Sequence, residues 1–274
     1  MAANKEKNIE FEEQNKRITG IMDSIKNRIV VFSGKGGVGK TTVSVNLAYA
    51  LVKKHLKVGL LDADITGPNV PKMTGANSPY MVEENSSLIK PNVKDGLSII
   101  SIESMVPKDT PVIWRGPLRS NAIRQFLGDV IWGELDFLLA DLPPGTGDEV
   151  LTSVQSMKPN MAIVVTTPQE VSLIDCRRAV NMAKKMNIPI IGVVENMAGL
   201  VCPYCEKIIE VFGSGGGESM AGQMNVNFLG RIPMEINNRL AGDQGKPMVL
   251  HRPESQTAKM FDLIADSVQK LLHN

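Results

Sequence analysis

The stretch Gly34-Lys35-Gly36-Gly37-Val38-Gly39-Lys40-Thr41-Thr42 constrains this chain more than any other part of it. It has the form glycine, four residues, Gly-Lys-Ser/Thr. It follows the apolar run Ile29-Val30-Val31-Phe32 and precedes a helix-like run, Val43 to Lys54. A strand, a glycine-rich turn and a helix in that order form a phosphate-binding loop. The glycines let successive backbone N–H groups turn inward around an anion, and the helix N-terminus adds partial positive charge. In such a loop Lys40 reaches the β- and γ-phosphate oxygens of ATP, and the Thr41 hydroxyl ligates Mg²⁺. Gly34, Gly36, Gly37, Val38, Gly39 and Thr42 supply the cradle itself.

Apolar runs alternate with amphipathic stretches along the rest of the chain, which predicts α/β architecture with a mostly parallel central sheet flanked by helices on both faces. Strands are expected at Arg28–Ser33, Val58–Asp62, Leu97–Ser101, Phe137–Asp141, Met161–Thr166, Ile190–Glu195 and Phe228–Ile232. Most are continuous Val/Ile/Leu runs, as for strands buried on both faces. Helices are expected at Val43–Lys54, Leu118–Leu127, Val150–Met157, Leu173–Met186 and Thr257–Leu272. Loop-rich regions at Thr66–Lys94, Met105–Pro117 and Met197–Met224 should gather at the carboxyl ends of the strands, beside the nucleotide. Residues 1–25 mix acids and bases, and are read as a charged, solvated, partly helical arm before a single ATPase domain over 26–274. A net charge of +1 argues against a bare nucleic-acid binder. No apolar run approaches the roughly 20 residues that span a bilayer. Three cysteines cannot form a disulfide framework in 274 residues, which favours a reducing compartment and a cytoplasmic protein.

Hydrolysis needs metal positioning and an oriented water besides a phosphate cradle. Two strand ends offer carboxylates: Leu60-Leu61-Asp62-Ala63-Asp64 and Phe137-Leu138-Leu139-Ala140-Asp141. The second has the form of the strand whose aspartate holds Mg²⁺. It continues as Leu142-Pro143-Pro144-Gly145-Thr146-Gly147-Asp148, a stiff loop whose glycines allow close approach to a γ-phosphate, hence a switch.

Lys35 gives the loop a second lysine and makes it resemble the deviant P-loop of the dimeric ATPases that include MinD, ParA, the arsenite pump ATPase and the nitrogenase iron protein, a SIMIBI-type fold. The resemblance implies that Lys35 crosses a dimer interface to the partner's nucleotide. It also implies that Asp64 is the water-activating carboxylate, that Asp62 supports Mg²⁺ or Thr41 from behind, and that Asn196 meets the adenine edge. Asp62 as a turn cap and Asn196 as a plain turn former are the structural alternatives.

Val201-Cys202-Pro203-Tyr204-Cys205 separates the chain from most of those ATPases. Two thiolates are too few for a tetrahedral metal or an iron–sulfur cluster, but two copies of the chain supply four. The chemistry leaves Zn²⁺ and a cluster open. A redox dithiol is a further reading, although its usual place is a helix N-terminus, and here Gly199 and Gly213 to Gly217 flank the pair.

The run Glu195 to Cys205 resembles the hallmark of Mrp/ApbC-type P-loop ATPases, carriers of iron–sulfur clusters. So do Val211 to Gly217, Asp62 to Pro68, Trp114-Arg115-Gly116-Pro117 and Asp141 to Asp148. That family implies a homodimer bridging a [4Fe-4S] cluster on Cys202 and Cys205 of each subunit, received from upstream donors and passed to apo-proteins. Asn69 and Glu206 depart from its usual residues without removing a ligand. Cys176 reads as a packed free thiol. Two other functions fit parts of the pattern: a MinD/ParA-like positioning switch, and an ATPase whose dimer is stapled by structural zinc. A MinD-like protein needs a basic amphipathic terminal helix for lipid, whereas acids match the lysines of the last helix here.

Overall fold

The computed structural model describes residues 2–64, 67–76, 78, 81–82, 88–102, 116–202, 204–205 and 207–273. The expected loop Met105–Pro117 lies outside them as far as Arg115, Trp114 included, as do Ile65, Thr66, Pro203 and Glu206.

The buried apolar runs form one eight-stranded sheet. In chain order its strands are β1 (Asn27–Phe32), β2 (Val58–Asp62), β5 (Asn92–Lys94), β6 (Leu97–Ser101), β7 (Phe137–Asp141), β8 (Met161–Thr166), β9 (Ile190–Glu195) and β12 (Asn227–Arg231). Two short hairpins stand apart: β3 (Met81–Val82) with β4 (Ile89–Lys90), and β10 (Leu200–Val201) with β11 (Ile208–Ile209). The order across the sheet is β12-β9-β8-β1-β7-β2-β6-β5, parallel throughout except for the edge pair β5–β6. The helices are α1 (Ala2–Asp23), α2 (Lys40–Lys53), α3 (Val70–Thr74), α4 (Gly116–Gly128), α5 (Asp148–Met157), α6 (Glu170–Lys185), α7 (Gly216–Gln223), α8 (Ile236–Asp243), α9 (Met248–His251) and α10 (Gln256–His273). All seven expected strands and five expected helices are present, with ends shifted by at most a turn.

Successive strand residues face opposite sides, so β1 feeds two cores. Val30 and Phe32 pack under α4, α5 and α6, and Ile29 and Val31 pack under α2 and α10. The stripe of α10, with Phe261, Ile264, Ala265 and Val268, is buried in the second core. Its acids pair with α2 through Lys53–Asp262 at 2.9 Å and Lys54–Asp266 at 2.6 Å. This helix is core rather than a lipid anchor, and among the described residues no helix is long and apolar enough to cross a membrane.

The end of α1 differs from the solvated arm expected for residues 1–25. Ile18, Met22 and Ile25 are buried in the first core, against α4 and α5. Ile18 and Met22, four residues apart, share one face of α1, and Ile25 follows just past the helix end; the abundance of charge around that face conceals it in a composition-level reading. The Arg124 guanidinium seals the outer edge, 4.4 Å from the Phe11 ring centroid and bonded to Gln14 and Asn15.

Candidate functional site

Parallel, in-register pairing brings the site together. Ser101 of β6 lies beside Asp62 of β2, Asp62 beside Asp141 of β7, and Asp141 beside Val31 of β1. Matching register on neighbouring strands turns their side chains to the same face. Three chemically distinct strands therefore end in one row of polar groups just below the phosphate loop.

The loop has the geometry an anion needs. Gly37 and Gly39 both take φ of +80°, open to glycine at little cost. Gly39 also precedes α2 with no side chain capping the helix, so its first N–H groups face the cavity. A Cβ at Gly39 would lie 2.2 Å from Asn196 Nδ2, and one at Gly34 would lie 2.2 Å from the Asp175 carbonyl oxygen. Lys40 is buried, with Nζ 2.9 Å from Asp141 Oδ1 and 3.5 Å from Asp64 Oδ2. Neither contact is an aligned hydrogen bond, which leaves the ammonium's donors for a ligand. Such a buried cation in a glycine cradle fits the phosphates of a nucleotide.

Asp141 is fully buried and fully engaged. Thr41 Oγ1 donates to its Oδ2 at 2.7 Å, and Ser44 Oγ donates to its Oδ1 at 2.7 Å. Thr41 and Asp141 thus stand together where a phosphate-bound Mg²⁺ would be held. Asp62 has different business. Its oxygens accept from the Asp64 N–H at 3.2 Å, the Val70 N–H at 3.3 Å and Ser101 Oγ at 2.9 Å. The Thr41 hydroxyl goes to Asp141, and Asp62 instead shapes the segment that carries Asp64 and starts α3. Complete burial, with the Asp141 carboxylate beside it, pushes the Asp62 carboxyl up to about 8.

The phosphate loop opens on a cavity of about 710 Å³, whose walls include Gly37, Lys40, Thr41, Asp64, Asn196 and Met197. Asn196 Nδ2 donates to the Val38 carbonyl at 2.9 Å. The far wall is α8, with Arg239 and Asp243, together with Lys72 of α3. The switch loop is roped to the phosphate loop by the Gly145 N–H, which donates to the Ser33 carbonyl at 2.8 Å. Lys35 is partly buried beside the cradle, its carbonyl accepting from Ser33 Oγ at 2.8 Å. Thr42 sits one turn into α2, where its carbonyl accepts from Asn46.

The cysteine pair lies outside this cavity, on the β10–β11 hairpin. The Cys202 N–H donates to the Lys207 carbonyl at 3.0 Å, closing the turn. Cys205 is exposed and Cys202 partly so, while Cys176 is buried and its thiol is pushed up to about 12 by burial. The N–H groups of Tyr204 and Cys205, with the Cys205 thiol, hold the Cys202 thiol below its ordinary value. Tyr204, Ile208, Ile209 and Val211 are exposed around the pair. Among the described residues no group of three or more His, Cys, Asp or Glu side chains is arranged to hold a metal ion.

Three residues that the sequence reading did not single out are central here. Ser44 and Ser101 fix Asp141 and Asp62, and Glu195 is fully buried at the end of β9. The run Gly215-Gly216-Gly217 was the available signal for Glu195, since its backbone closes directly on that carboxylate.

A family model described as the ParA: NUBPL iron-transfer P-loop NTPase matches residues 24–269. An "Iron-sulfur cluster carrier protein" of Methanocaldococcus jannaschii is 56% identical over 241 residues, 87% of this chain and 83% of the relative. A protein of the same name from Synechocystis is 46% identical over 89% of this chain and 70% of its own length. Among solved structures, a nucleotide-binding protein of Archaeoglobus fulgidus in complex with ADP aligns with a TM-score of 0.74 at 38% identity, covering 85% of this chain and 91% of that one. The cell division ATPase MinD of Pyrococcus furiosus aligns at 0.68 with 26% identity, over 90% and 100%.

Proposed function

The chain belongs to the NUBPL iron-transfer P-loop NTPases, and from that membership and the site's geometry we propose that it is an ATP-hydrolysing carrier of iron–sulfur clusters. Its cargo is a [4Fe-4S] cluster held between two copies of the chain by Cys202 and Cys205 of each, taken from upstream donors and passed to apo-proteins in the cytoplasm. The observation that carries this reading is one of position. The exposed cysteine hairpin is rooted at Asn196 and Met197, which are also walls of the nucleotide cavity. A MinD/ParA-like positioning switch gives the hairpin no task, and the buried stripe of α10 leaves it no lipid anchor.

In the phosphate site, the Gly34–Gly39 backbone and the α2 N-terminus hold the phosphates, and Lys40 exchanges its contacts with Asp141 and Asp64 for phosphate oxygens. Released from Lys40, Asp141 keeps its Ser44 hydrogen bond and, with Thr41, would hold the Mg²⁺ that would offset the phosphate charge. Asp64, at the wall of the cavity, then orients the attacking water, worth about 10²–10⁴-fold in such roles. Lys35 completes the charge compensation across the dimer. At the hairpin, two thiolates from each copy make the four that a cubane cluster takes.

Hydrolysis and delivery are coupled in this account. Asp64→Asn should lower hydrolysis by about 100-fold or more while nucleotide affinity stays within about threefold. Cluster transfer to an apo-acceptor should slow in parallel. Transfer at the wild-type rate by Asp64→Asn or Lys40→Ala protein would break the coupling.

A further inference from the structure

The cysteine segment leaves the sheet and returns to it at neighbouring residues. It leaves through Asn196 and is stitched to the chain after β12: the Ala198 N–H donates to Ile232, Met234 to Gly199, and Val201 to Met234. It returns at Gly215, where α7 begins. There the Glu195 carboxylate takes both ends of the turn, Oε1 accepting from the Gly215 N–H at 2.9 Å and Oε2 from the Gly217 N–H. Arg231 Nε donates to Oε1 at 2.8 Å, and its Nη2 to Glu218 of α7 at 3.0 Å. The fit is close, since a Cβ on Gly217 would lie 3.0 Å from the Glu195 Cβ.

Glu195 is buried to 0% exposure and is not among the residues that line the nucleotide cavity. Its neighbour Asn196 grips the phosphate loop at Val38 and the Thr166 carbonyl of β8. Two consecutive residues therefore clamp the nucleotide cradle and the far end of the cysteine segment. We infer that Glu195 is a positioning residue for the cluster site, transmitting movement of Asn196 at the nucleotide to the hairpin bearing Cys202 and Cys205. A fully buried carboxylate that accepts two main-chain N–H groups and a guanidinium is a stiff joint. When a nucleotide competes with Val38 for Asn196, the displaced strand end must carry Gly215 and Gly217 with it. This inference rests on the carrier reading for its purpose, not for its geometry.

The test is the alkylation rate of Cys202 and Cys205 by iodoacetamide, read by mass spectrometry on the full-length, cluster-free protein. Rates are compared with and without a non-hydrolysable ATP analogue and Mg²⁺. In the wild type the analogue should change them about fivefold or more, the lower end of typical coupling between sites. In Glu195→Gln, where an amide N–H replaces one acceptor, the rates should respond to nucleotide by less than about 1.3-fold while analogue affinity stays within twofold. Gly217→Ala, which forces the same joint apart, should behave alike and covers the case of a Glu195→Gln protein that does not fold. Arg231→Gln removes the guanidinium but leaves both N–H acceptors, and should keep most of the response. A merely structural Glu195 would shift both rates together and leave their ratio at the wild-type value, which overturns the inference. A wild-type protein insensitive to the analogue overturns it too. Should the pair hold no cluster on reconstitution while the thiol response persists, the carrier reading fails and the positioning role of Glu195 stands.

Discussion

At the scale of single residues, the site is a set of exchanges around Asp141. Lys40, Thr41 and Ser44 all meet this buried carboxylate, and in the proposed mechanism a nucleotide takes over Lys40 and Mg²⁺ takes over Thr41. Asp62, one strand away, is a group whose proton is linked to folding. Its folded value of about 8 lies above its ordinary one because burial and Asp141 disfavour its charge. Between pH 4 and pH 8 the folded state therefore holds a proton that the unfolded chain, with an aspartate value of about 3.9, has lost. Stability falls as pH rises wherever the folded state binds more protons. We predict that the melting temperature of nucleotide-free protein declines from pH 5 to pH 8, and that Asp62→Asn, which carries no charge, flattens this decline. An equally steep decline in Asp62→Asn would place the titrating group elsewhere. The residue types of the phosphate loop and Asp141 were legible because each answers to a fixed chemistry. The partners of Asp62 were not, since Ser101 and Val70 reach it only through strand register and the start of α3.

At the scale of elements, the sheet was readable because buried parallel strands write themselves as unbroken apolar runs. Asp136, Asp62 and Asp141 punctuate those runs without hiding them. The hairpin β10–β11 was marked by its cysteines and glycines, but its attachment to Met234 and Glu195 depends on residues far apart in sequence. The end of α1 was obscured for the opposite reason. Four-residue spacing places Ile18 and Met22 on one face, yet the surrounding lysines and glutamates dominate the composition. Met22 is 2% exposed within the first core, so Met22→Ala should cost about 2–4 kcal/mol in chemical denaturation, as a buried large-to-small change does. A loss of less than about 0.5 kcal/mol, usual for a surface substitution, would mean that α1 is dispensable to the core.

At the scale of the whole molecule, two features of one chain are incomplete by themselves. The phosphate loop carries an additional lysine, Lys35, beside its own Lys40, and the hairpin carries two thiols where a cluster takes four ligands. In the proposed dimer a second copy supplies what each lacks. Lys35→Ala should lower hydrolysis about tenfold or more, the effect of removing a charge that compensates the transition state, with nucleotide affinity of the single chain kept. A large affinity loss with normal turnover would place Lys35 in its own subunit's site.

The central claim is that Cys202 and Cys205 of two chains hold one cluster. Iron and acid-labile sulfide, with zinc, measured on anaerobically reconstituted wild type and Cys202→Ala test it most directly. A bridging cluster gives about four iron and four sulfide per two wild-type chains, negligible zinc, and near-complete loss of iron and sulfide in the variant. Equal iron and sulfide in Cys202→Ala, or stoichiometric zinc in place of both, would contradict it.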